Sequence, residues 1–383
     1  MISGTSYDGI DCSIGEFTPH ASEILLKPLF SKTIEYPEYV YKLIDTSMPP
    51  EWVDLQRVCE LDTLIGEAFA DAALLAIKES GITPDLIVSH GQTMYHWISA
   101  GGAALGTLQL GDPARVAEAT GITVLSHLRS RDVAAGGQGA PFASLIDHML
   151  LNGVDQKVAA LNLGGISNMT IVKPGSATIA YDVGPASALI DAGVRIHSSG
   201  KLNYDEGGKL GAQGKHNEAL LAELLKEPYY ALQYPKSTGK ELFNQTYLEK
   251  IRETHPEVGM IDLIATLTEL TAITVSNEIN KFGVAVIYVS GGGQHNQTLM
   301  GMMRSLSPNT RFAPYEELGI NSDGKEAYLF GLIGFLSSYN QNGNIPSSTG
   351  ASGGRILGSL SPGKSGFPKP YESAFEFTSL RII

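Results

Sequence analysis

The segment GTSYDGID at residues 4–11 says more about the fold of this chain than any other stretch. Its two glycines allow a tight turn and let backbone N–H groups approach a bound ligand closely. Thr5 and Ser6 add hydroxyl donors, whereas Asp8 and Asp11 would repel a bare phosphate. A phosphate held here therefore implies an intervening cation, most simply Mg2+. An ordinary Asp-Gly turn is the competing interpretation of the segment taken alone.

Two further strand-then-glycine patterns lie downstream. Residues 158–162 (VAALN) have the apolar character of a buried strand and run into the glycine pair of LGGISNMT. Residues 284–289 (VAVIYV) form a similar strand pattern and run into SGGGQ. Three such units indicate that three backbone turns approach one polyanionic ligand. None fits the P-loop pattern or Gly-x-Gly-x-x-Gly in a strand–turn–helix context, so Rossmann dinucleotide binding loses support.

Composition restricts the class of protein further. The 383 residues are enough for two domains, and 43% hydrophobic residues can bury large cores. A net charge of -13 without a long basic run argues against nucleic acid as a partner. The two cysteines argue against a disulfide scaffold, and no Cys/His cluster has zinc spacing. We see no signal peptide and no apolar run long enough for a membrane helix, so we expect a cytoplasmic protein without a membrane partner.

Helical and strand patterns alternate along the chain, which predicts a mixed α/β architecture with two sheets. The Gly-, Ser- and Pro-rich C-terminal stretch is expected to form surface loops. Helices are predicted at residues 54–79, 114–120, 186–197, 260–282 and 325–339, and strands at residues 85–89, 122–125, 158–162, 177–182 and 284–289.

Four places carry candidate chemistry. Asp182 ends a predicted strand beside a Gly-Pro turn, where open α/β folds place ligands, although it could instead cap the next helix. Residues 129–141 (RSRDVAAGGQGAP) suit a loop around a polyhydroxylated or anionic ligand, or a salt-bridged surface turn. Residues 90–93 (HGQT) offer hydrogen bonds at a strand end, with a core histidine as the alternative, while nearby His96 is expected at the surface. Glu326 starts a predicted helix, which the helix dipole alone would favour.

Residues 236–241 (KSTGKE) are typical of a helix cap. A phosphate contact by Lys236 or Lys240 is a second interpretation of this segment.

Taken together, these segments resemble the anhydro-N-acetylmuramic acid kinase family. The similarity extends over nearly the whole chain, and levoglucosan kinases share the same framework. The matching motifs run in family order: GTSYDGID at 4–11, SHGQT at 89–93, TLQLGDP at 107–113, RSRDVAAGGQGAP at 129–141, LNLGGISN at 161–168, YDVGP at 181–185, PKSTGKELF at 235–243, GGG at 291–293, DGKEA at 323–327 and TGAS at 349–352.

The resemblance implies an α/β, two-lobed, actin-like ATPase fold of the sugar-kinase type, with ATP and substrate in the interdomain cleft. We expect an N-terminal lobe of residues 1–127 that carries the first phosphate loop and part of the sugar site. Residues 128–383 would form a C-terminal lobe with the catalytic aspartate, the second phosphate loop and the adenosine loop. Whether the C-terminal segment returns to the first lobe stays open, as does a homodimer.

The resemblance also implies a reaction, a phosphotransfer to an alcohol group. A carboxylate deprotonates water, the water opens the 1,6-anhydro ring of anhydro-N-acetylmuramic acid, and the freed O6 takes the γ-phosphoryl group of ATP. The product is N-acetylmuramic acid 6-phosphate, an intermediate of cell-wall sugar recycling. The alternatives are a kinase for levoglucosan or another anhydro sugar, and a nucleotide-binding regulatory protein without turnover. The last is disfavoured because the residues expected for turnover are present.

The family's site residues carry over as follows. Asp182 falls on the catalytic base, and Asp8 and Glu326 fall on the Mg2+ ligands. Sugar-binding residues would be His90, Gln92, Arg129, Arg131, Asp132 and Gln138. ATP-binding residues would be Gly4, Thr5, Ser6, Tyr7, Asp8, Gly9, Ile10, Asp11, Gly164, Gly165, Asn168, Gly291, Gly292 and Gly293.

The chain departs from the family pattern in a few places. Only Met1-Ile2-Ser3 precede the first motif, fewer residues than is usual there, and Tyr7 stands where Leu or Met is common. His127-Leu128 replace Asp-Phe. Val183 replaces Thr, and Ala186-Ser187 replace Gly-Asn. These last changes flank Asp182, so they bear on substrate identity more than on the fold.

Overall fold

The computed structural model describes residues 1–4, 7–99, 101–239, 242–321 and 324–383. The chain divides into two compact units: residues 1–150 with 318–383, and residues 151–317. The division thus falls after residue 150 instead of after residue 127, and the C-terminal segment belongs with the first unit. The physical reason is a shared core, in which Phe142, Ile146 and Met149 are buried together with Phe330 and Ile333.

The elements occur in the following order. Residues 1–151 contain β1 (Ile10–His20), β2 (Glu23–Ile34), α1 (Glu38–Asp45), α2 (Leu55–Ser80), β3 (Ile87–Val88), β4 (Gln92–Ile98), β5 (Ala104–Leu110), α3 (Pro113–Thr120), β6 (Val124–Ser126), α4 (Ser130–Ala134) and α5 (Ala143–Leu151). The second unit continues with β7 (Val158–Leu163), β8 (Ile166–Val172), β9 (Ile179–Pro185), α6 (Ser187–His197), α7 (Glu218–Leu224), α8 (Gln245–Thr254), α9 (Met260–Phe282), β10 (Val286–Ser290), α10 (Gln297–Leu306) and β11 (Arg311–Pro314). The first unit is completed by α11 (Lys325–Ser338), α12 (Pro346–Thr349), β12 (Ser359–Ser361) and β13 (Ser379–Ile382).

The first unit is built on a long antiparallel hairpin. Strands β1 and β2 pair from Ile10 with Ile34 to His20 with Glu23, and β13 adds to β2 in parallel. A second sheet has the order β12-β6-β3, and β4 pairs with β5 in a separate hairpin. Helix α2 begins at an Asp54 cap that accepts the Arg57 N–H at 2.8 Å, and it ends at Gly81 with φ 70°.

The second unit contains one sheet of five strands among its described residues, in the order β11-β10-β7-β8-β9. Strands β7, β10 and β11 are mutually parallel, whereas β8 is antiparallel to both of its neighbours. Two reversals make β9 parallel to β7. The carboxyl ends of β7, β9 and β10 therefore lie at one edge, which is where α/β sheets bind ligands.

The structure confirms the α/β class and the predicted helices, each within one residue at either end. The expectation of two sheets is wrong, because the described residues form four. The hairpin β1–β2 was not predicted, since its strands are largely half-buried or exposed and lack a clear apolar run. The C-terminal stretch is not all surface loop: Leu380 is buried, and β13 extends a sheet.

In the parts of the chain that the structure describes, no helix is long and apolar enough to cross a membrane.

A buried ion pair joins α5 and α11 and yields a test of the first unit. Lys325 Nζ lies 2.7 Å from Asp147 Oδ1, and both side chains are less than a tenth exposed. Lys325→Met removes a cationic partner from a buried carboxylate, so we expect unfolding in urea to show a loss of about 3–5 kcal/mol. The control Lys32→Met breaks the exposed pair with Glu79 and should cost less than about 1 kcal/mol. Equal losses in the two variants would contradict this account of the pair.

Candidate active site

Two of the predicted glycine turns meet in the second unit. Asn162 at the end of β7 lies opposite Ser290 at the end of β10, so the turns that follow both strands are neighbours. A Cβ atom at Gly291 would lie 2.5 Å from Asn162 Oδ1, and one at Gly293 would lie 2.7 Å from Leu163 Cβ. Only glycine fits such close backbone approaches. The sequence residues Gly164, Gly165, Gly291, Gly292 and Gly293 are thus brought together at one edge of the sheet.

A row of polar residues crosses the sheet at the same edge. Asn162 on β7 pairs with Asn168 on β8, and Asn168 pairs with Asp182 on β9. Directly opposite residues present their side chains on one face of a sheet. Asn162 was missed by the sequence reasoning. The pattern that could have indicated Asn162 is a polar residue at the end of an otherwise apolar strand, VAALN.

Asp182 is held by a chain segment that follows much later in the sequence. Its Oδ2 accepts the Ser237 hydroxyl at 2.7 Å and the Thr238 N–H at 3.0 Å. The Asp182 N–H donates to the Lys236 carbonyl at 3.3 Å, and the Tyr229 hydroxyl donates to the Asp182 carbonyl at 2.6 Å. The carboxylate therefore has a defined position at the ligand edge.

The alternative interpretations of these two segments are wrong. Helix α6 begins at Ser187 behind Ala186, without a side-chain cap, so Asp182 does not cap it. The segment 236–241 is not a helix cap, because α8 begins at Gln245 and is capped by Asn244. The Lys236 ammonium group is turned to the backbone carbonyls of Tyr229 and Tyr230, which argues against a phosphate contact. Lys240 lies outside the described residues.

The first glycine turn belongs to the first unit, and Thr5 and Ser6 lie outside its described residues. Gly4 accepts the Tyr7 N–H at 3.1 Å and a Gln92 amide N–H at 3.0 Å. Tyr7 adopts a left-handed backbone with φ 43°, and its hydroxyl donates to Asp45 of α1 at 3.0 Å. The Gly4 carbonyl is therefore fixed by two donors, the Tyr7 N–H and the Gln92 amide.

The end of the turn enters β1. Gly9 is required, since a Cβ there would lie 2.7 Å from Thr33 Cγ2, and Ile10 is buried. Asp11 accepts the Thr33 hydroxyl at 2.5 Å, whereas the Asp8 side chain is exposed. The turn thus presents Asp8 to solvent while its second half is fixed in the core.

Half-buried Arg129 and buried His90 form a hydrogen-bonded pair in the first unit. The Arg129 Nε–H donates to His90 Nε2 at 2.7 Å, and its Nη1 donates to the Gly139 carbonyl at 2.7 Å. Because a guanidinium group can only donate, Nε2 must carry the lone pair, and Nδ1–H donates to the Gly91 carbonyl at 3.0 Å. Burial, and then the charge of Arg129, hold the pKa of His90 well below 6.5. His90 is therefore a neutral acceptor that orients Arg129.

Asp132 is the internal anchor of the loop 129–141. It is fully buried, and its Oδ2 accepts the Gly139 N–H at 2.8 Å. Its Oδ1 accepts the Asn344 amide at 2.6 Å and the Thr349 hydroxyl at 2.8 Å. A direct contact of Asp132 with a ligand is not what this geometry shows. The carboxylate instead satisfies the loop's own donors.

The remaining loop residues are more accessible. Arg131 is exposed, and half-buried Gln138 accepts the Ala104 N–H of β5 at 3.1 Å. His96, expected at the surface, is half-buried against Gly139. Burial, and then the charge of Arg129, lower the pKa of His96. His96 therefore lies beside this loop, a contact between distant residues that no local sequence pattern indicates.

Glu326 lies at the start of α11. The residue is exposed overall, but desolvation of its carboxyl by the surrounding chain raises the pKa of that group, whereas the charges of Arg129 and Lys325 lower it. Asp11 is near enough to raise the pKa of Glu326 as well. The two carboxylates repel each other, and a cation would relieve that repulsion. Among the described residues no cluster of three His, Cys, Asp or Glu side chains could hold a metal alone.

The fold and this arrangement define an α/β protein with glycine turns and a held carboxylate at the edge of a sheet. The family model for anhydro-N-acetylmuramic acid kinase matches residues 1–363. The chain is 43% identical over 384 residues to the anhydro-N-acetylmuramic acid kinase of Streptomyces coelicolor, which covers 100% of this chain and 98% of that protein. It is 45% identical over 377 residues to that of Rhodococcus erythropolis, covering 96% and 95%. The chain belongs to the anhydro-N-acetylmuramic acid kinase family, and it is a kinase of an ATP-using family.

Solved structures give weaker likenesses. An ADPNP-bound activator of 2-hydroxyisocaproyl-CoA dehydratase from Clostridium difficile matches with TM-score 0.36 and 12% identity, covering 83% of this chain and 95% of that one. The ROK hexokinase of Thermus thermophilus matches with TM-score 0.29 and 14% identity, covering 83% and 97%. Because both TM-scores are low, neither likeness indicates a function for this chain.

The neutral state of His90 leads to a pH prediction. In the unfolded chain this imidazole takes up a proton below about pH 6.5, but in the folded protein it resists protonation. Its contribution to stability is thus complete above that pH and is lost as the pH falls below it. His90→Gln keeps an acceptor for Arg129 without a proton site, so urea unfolding should depend less on pH, by up to about 1.4 kcal/mol per unit. Exposed His197→Gln is the control, and an unchanged slope in His90→Gln would refute the assignment.

Proposed function

We propose that this kinase hydrolytically opens 1,6-anhydro-N-acetylmuramic acid and phosphorylates O6 to give N-acetylmuramic acid 6-phosphate. The observation that carries the proposal is the Asp182 carboxylate, held by two donors in one row with Asn162 and Asn168, beside the paired glycine turns. The two family relatives are kinases of this sugar by name. Because ATP is the phosphoryl donor, we place the reaction in the cytoplasm.

Asp182 is proposed as the general base. In an anhydro sugar O6 is already bonded to C1, so no free 6-hydroxyl exists to be deprotonated. Asp182 takes a proton from water as the water oxygen bonds to C1, and the C1–O6 bond breaks. The O6 electron pair then attacks the γ-phosphorus, ADP leaves, and Asp182 releases its proton to solvent. One water and one ATP are consumed for each sugar.

ATP is proposed to contact the glycine turns described above, at residues 4–11, 164–165 and 291–293, together with Asn168. Mg2+ fits the acidic groups of the first unit, with Asp8 and Glu326 as ligands, directly or through water. The repulsion between Asp11 and Glu326 supports a cation there. When bound, the ion would neutralise phosphate charge, and it would keep waters and phosphate oxygens as further ligands.

The six predicted sugar-binding residues divide into two groups. Exposed Arg131 and half-buried Gln138 are proposed to meet the sugar directly. The other four are proposed to support the site, because each is engaged within the first unit: His90, Gln92 and Asp132 are buried, and Arg129 is half-buried.

An isotope experiment tests the coupled reaction. In 18O-water we expect one solvent oxygen in the sugar, at C1, and none in the transferred phosphate, as read by mass spectrometry of both products. Asp182→Asn should retain nucleotide binding and lose turnover by about 10^2–10^4-fold. Levoglucosan is the comparison substrate. Faster turnover of levoglucosan than of 1,6-anhydro-N-acetylmuramic acid would identify levoglucosan as the preferred substrate. Label in the phosphate, or efficient phosphorylation of ring-opened N-acetylmuramic acid, would overturn the coupled mechanism.

The turn at residues 291–293 gives a separate test of nucleotide contact. A methyl group at Gly292 meets open space, whereas one at Gly293 lies 2.7 Å from Leu163 Cβ. Gly292→Ala should therefore keep the melting temperature while raising KM for ATP about tenfold, because the methyl group occupies the nucleotide's approach. Gly293→Ala should lower stability by about 1–3 kcal/mol.

The matched control is Gly301→Ala on α10, which also adds a methyl group in open space but away from the turn. It should leave KM for ATP unchanged and raise stability by up to about 1 kcal/mol, because alanine favours a helix interior more than glycine does. An unchanged KM for ATP in Gly292→Ala would contradict nucleotide binding at this turn.

A further inference from the structure

The residues that hold Asp182 form a structure of their own, which we call the clasp: Tyr229, Lys236, Ser237 and Thr238. Lys236, Ser237 and Thr238 lie in a stretch without regular secondary structure before α8. This stretch forms no strand or helix of its own, and one long backbone hydrogen bond, from the Asp182 N–H to the Lys236 carbonyl at 3.3 Å, joins it to β9. It nevertheless supplies two donors to the Asp182 Oδ2, so a side-chain anchor is needed as well.

Lys236 is that anchor. Its ammonium group donates to the carbonyls of Tyr229 and Tyr230, both at 3.3 Å. It also lies 4.7 Å from the ring centre of Tyr229 and 5.7 Å from that of Tyr181, which is cation–π distance. Tyr229 in turn donates its hydroxyl to the Asp182 carbonyl. Lys236 thus contacts Tyr229, and Tyr229 contacts the same aspartate that Ser237 and Thr238 hold.

The contact with the carboxylate fixes its orientation. The terminal torsion of an aspartate is broad and nearly two-fold, so an unsupported carboxylate turns easily. Two donors on Oδ2 restrict the rotation of the Asp182 carboxylate about this torsion. Ser237 is exposed, so water competes for its hydroxyl, and the hydrogen bond depends on the anchored backbone.

We propose that Ser237 and Lys236 are positioning residues that orient the Asp182 carboxylate for removing a proton from water. Lys236 holds the segment in place, and Ser237 transmits that placement to Oδ2. This inference rests on the proposed role of Asp182 as the base. Changes in the clasp should therefore lower turnover and leave nucleotide binding unchanged.

The test compares steady-state kinetics of Ser237→Ala, Ser237→Thr and Lys236→Met. Loss of a hydrogen bond to a charged group should lower kcat about tenfold in Ser237→Ala, with KM for ATP unchanged within about twofold. Ser237→Thr keeps the hydroxyl and should recover kcat to within about threefold of wild type. Lys236→Met keeps the length of the chain without its charge and should lower kcat like Ser237→Ala. Ser305→Ala removes an exposed serine that bonds only within α10 and serves as the control.

A double variant separates positioning from any other role. If Ser237 acts through Asp182, adding Ser237→Ala to Asp182→Asn should lower the residual kcat no further. An equal tenfold loss in that background, or a Ser237→Ala enzyme with the wild-type kcat, overturns the clasp while leaving the base role standing. Full turnover in Asp182→Asn instead overturns the proposed base. Thermal melting of each variant confirms that folded proteins are being compared.

Discussion

The pairing of β7, β8 and β9 is the constraint on which the rest of the second unit depends. Two antiparallel turns return β9 to the direction of β7, so that Asp182 and the turn after Leu163 reach the same edge. A shift of β8 by one residue would move Asn168 to the other face and separate Asp182 from Asn162. The register of three strands therefore decides whether a carboxylate and a glycine turn can serve one ligand.

The sequence predicted well those features that depend on local pattern. Helix α9 and the glycine turns are visible because apolar periodicity and Gly clusters are properties of neighbouring residues. The position of Asp182 near the end of a strand was visible for the same reason, because the carboxylate precedes a Gly-Pro turn, whereas its role stays a prediction. The family resemblance then added roles that no pattern could supply.

What escaped prediction depends on residues far apart in sequence. Ser237 and Thr238 were predicted to cap a helix, because Ser and Thr commonly precede helices. In the structure they donate instead to Asp182, which lies 55 and 56 residues earlier in the chain. The family resemblance makes Asp132 and Gln92 sugar contacts, which stays a prediction, and it could not show that their side chains also bond to the backbone of Gly139 and Gly4. A polar side chain in a glycine-rich loop can hydrogen-bond to the loop's own backbone or to a substrate. The sequence alone does not distinguish these two roles.

The Asp132 anchor also has a consequence for the order in which the molecule can be made. Its carboxylate is completed by Asn344 and Thr349, which lie more than two hundred residues downstream. The second unit, by contrast, is one continuous stretch that ends at Glu317. On the ribosome, residues 151–317 are synthesised before the two residues that complete the loop at 129–141 exist. That loop therefore emerges ahead of the second unit and acquires its finished structure only after the whole of that unit has been made.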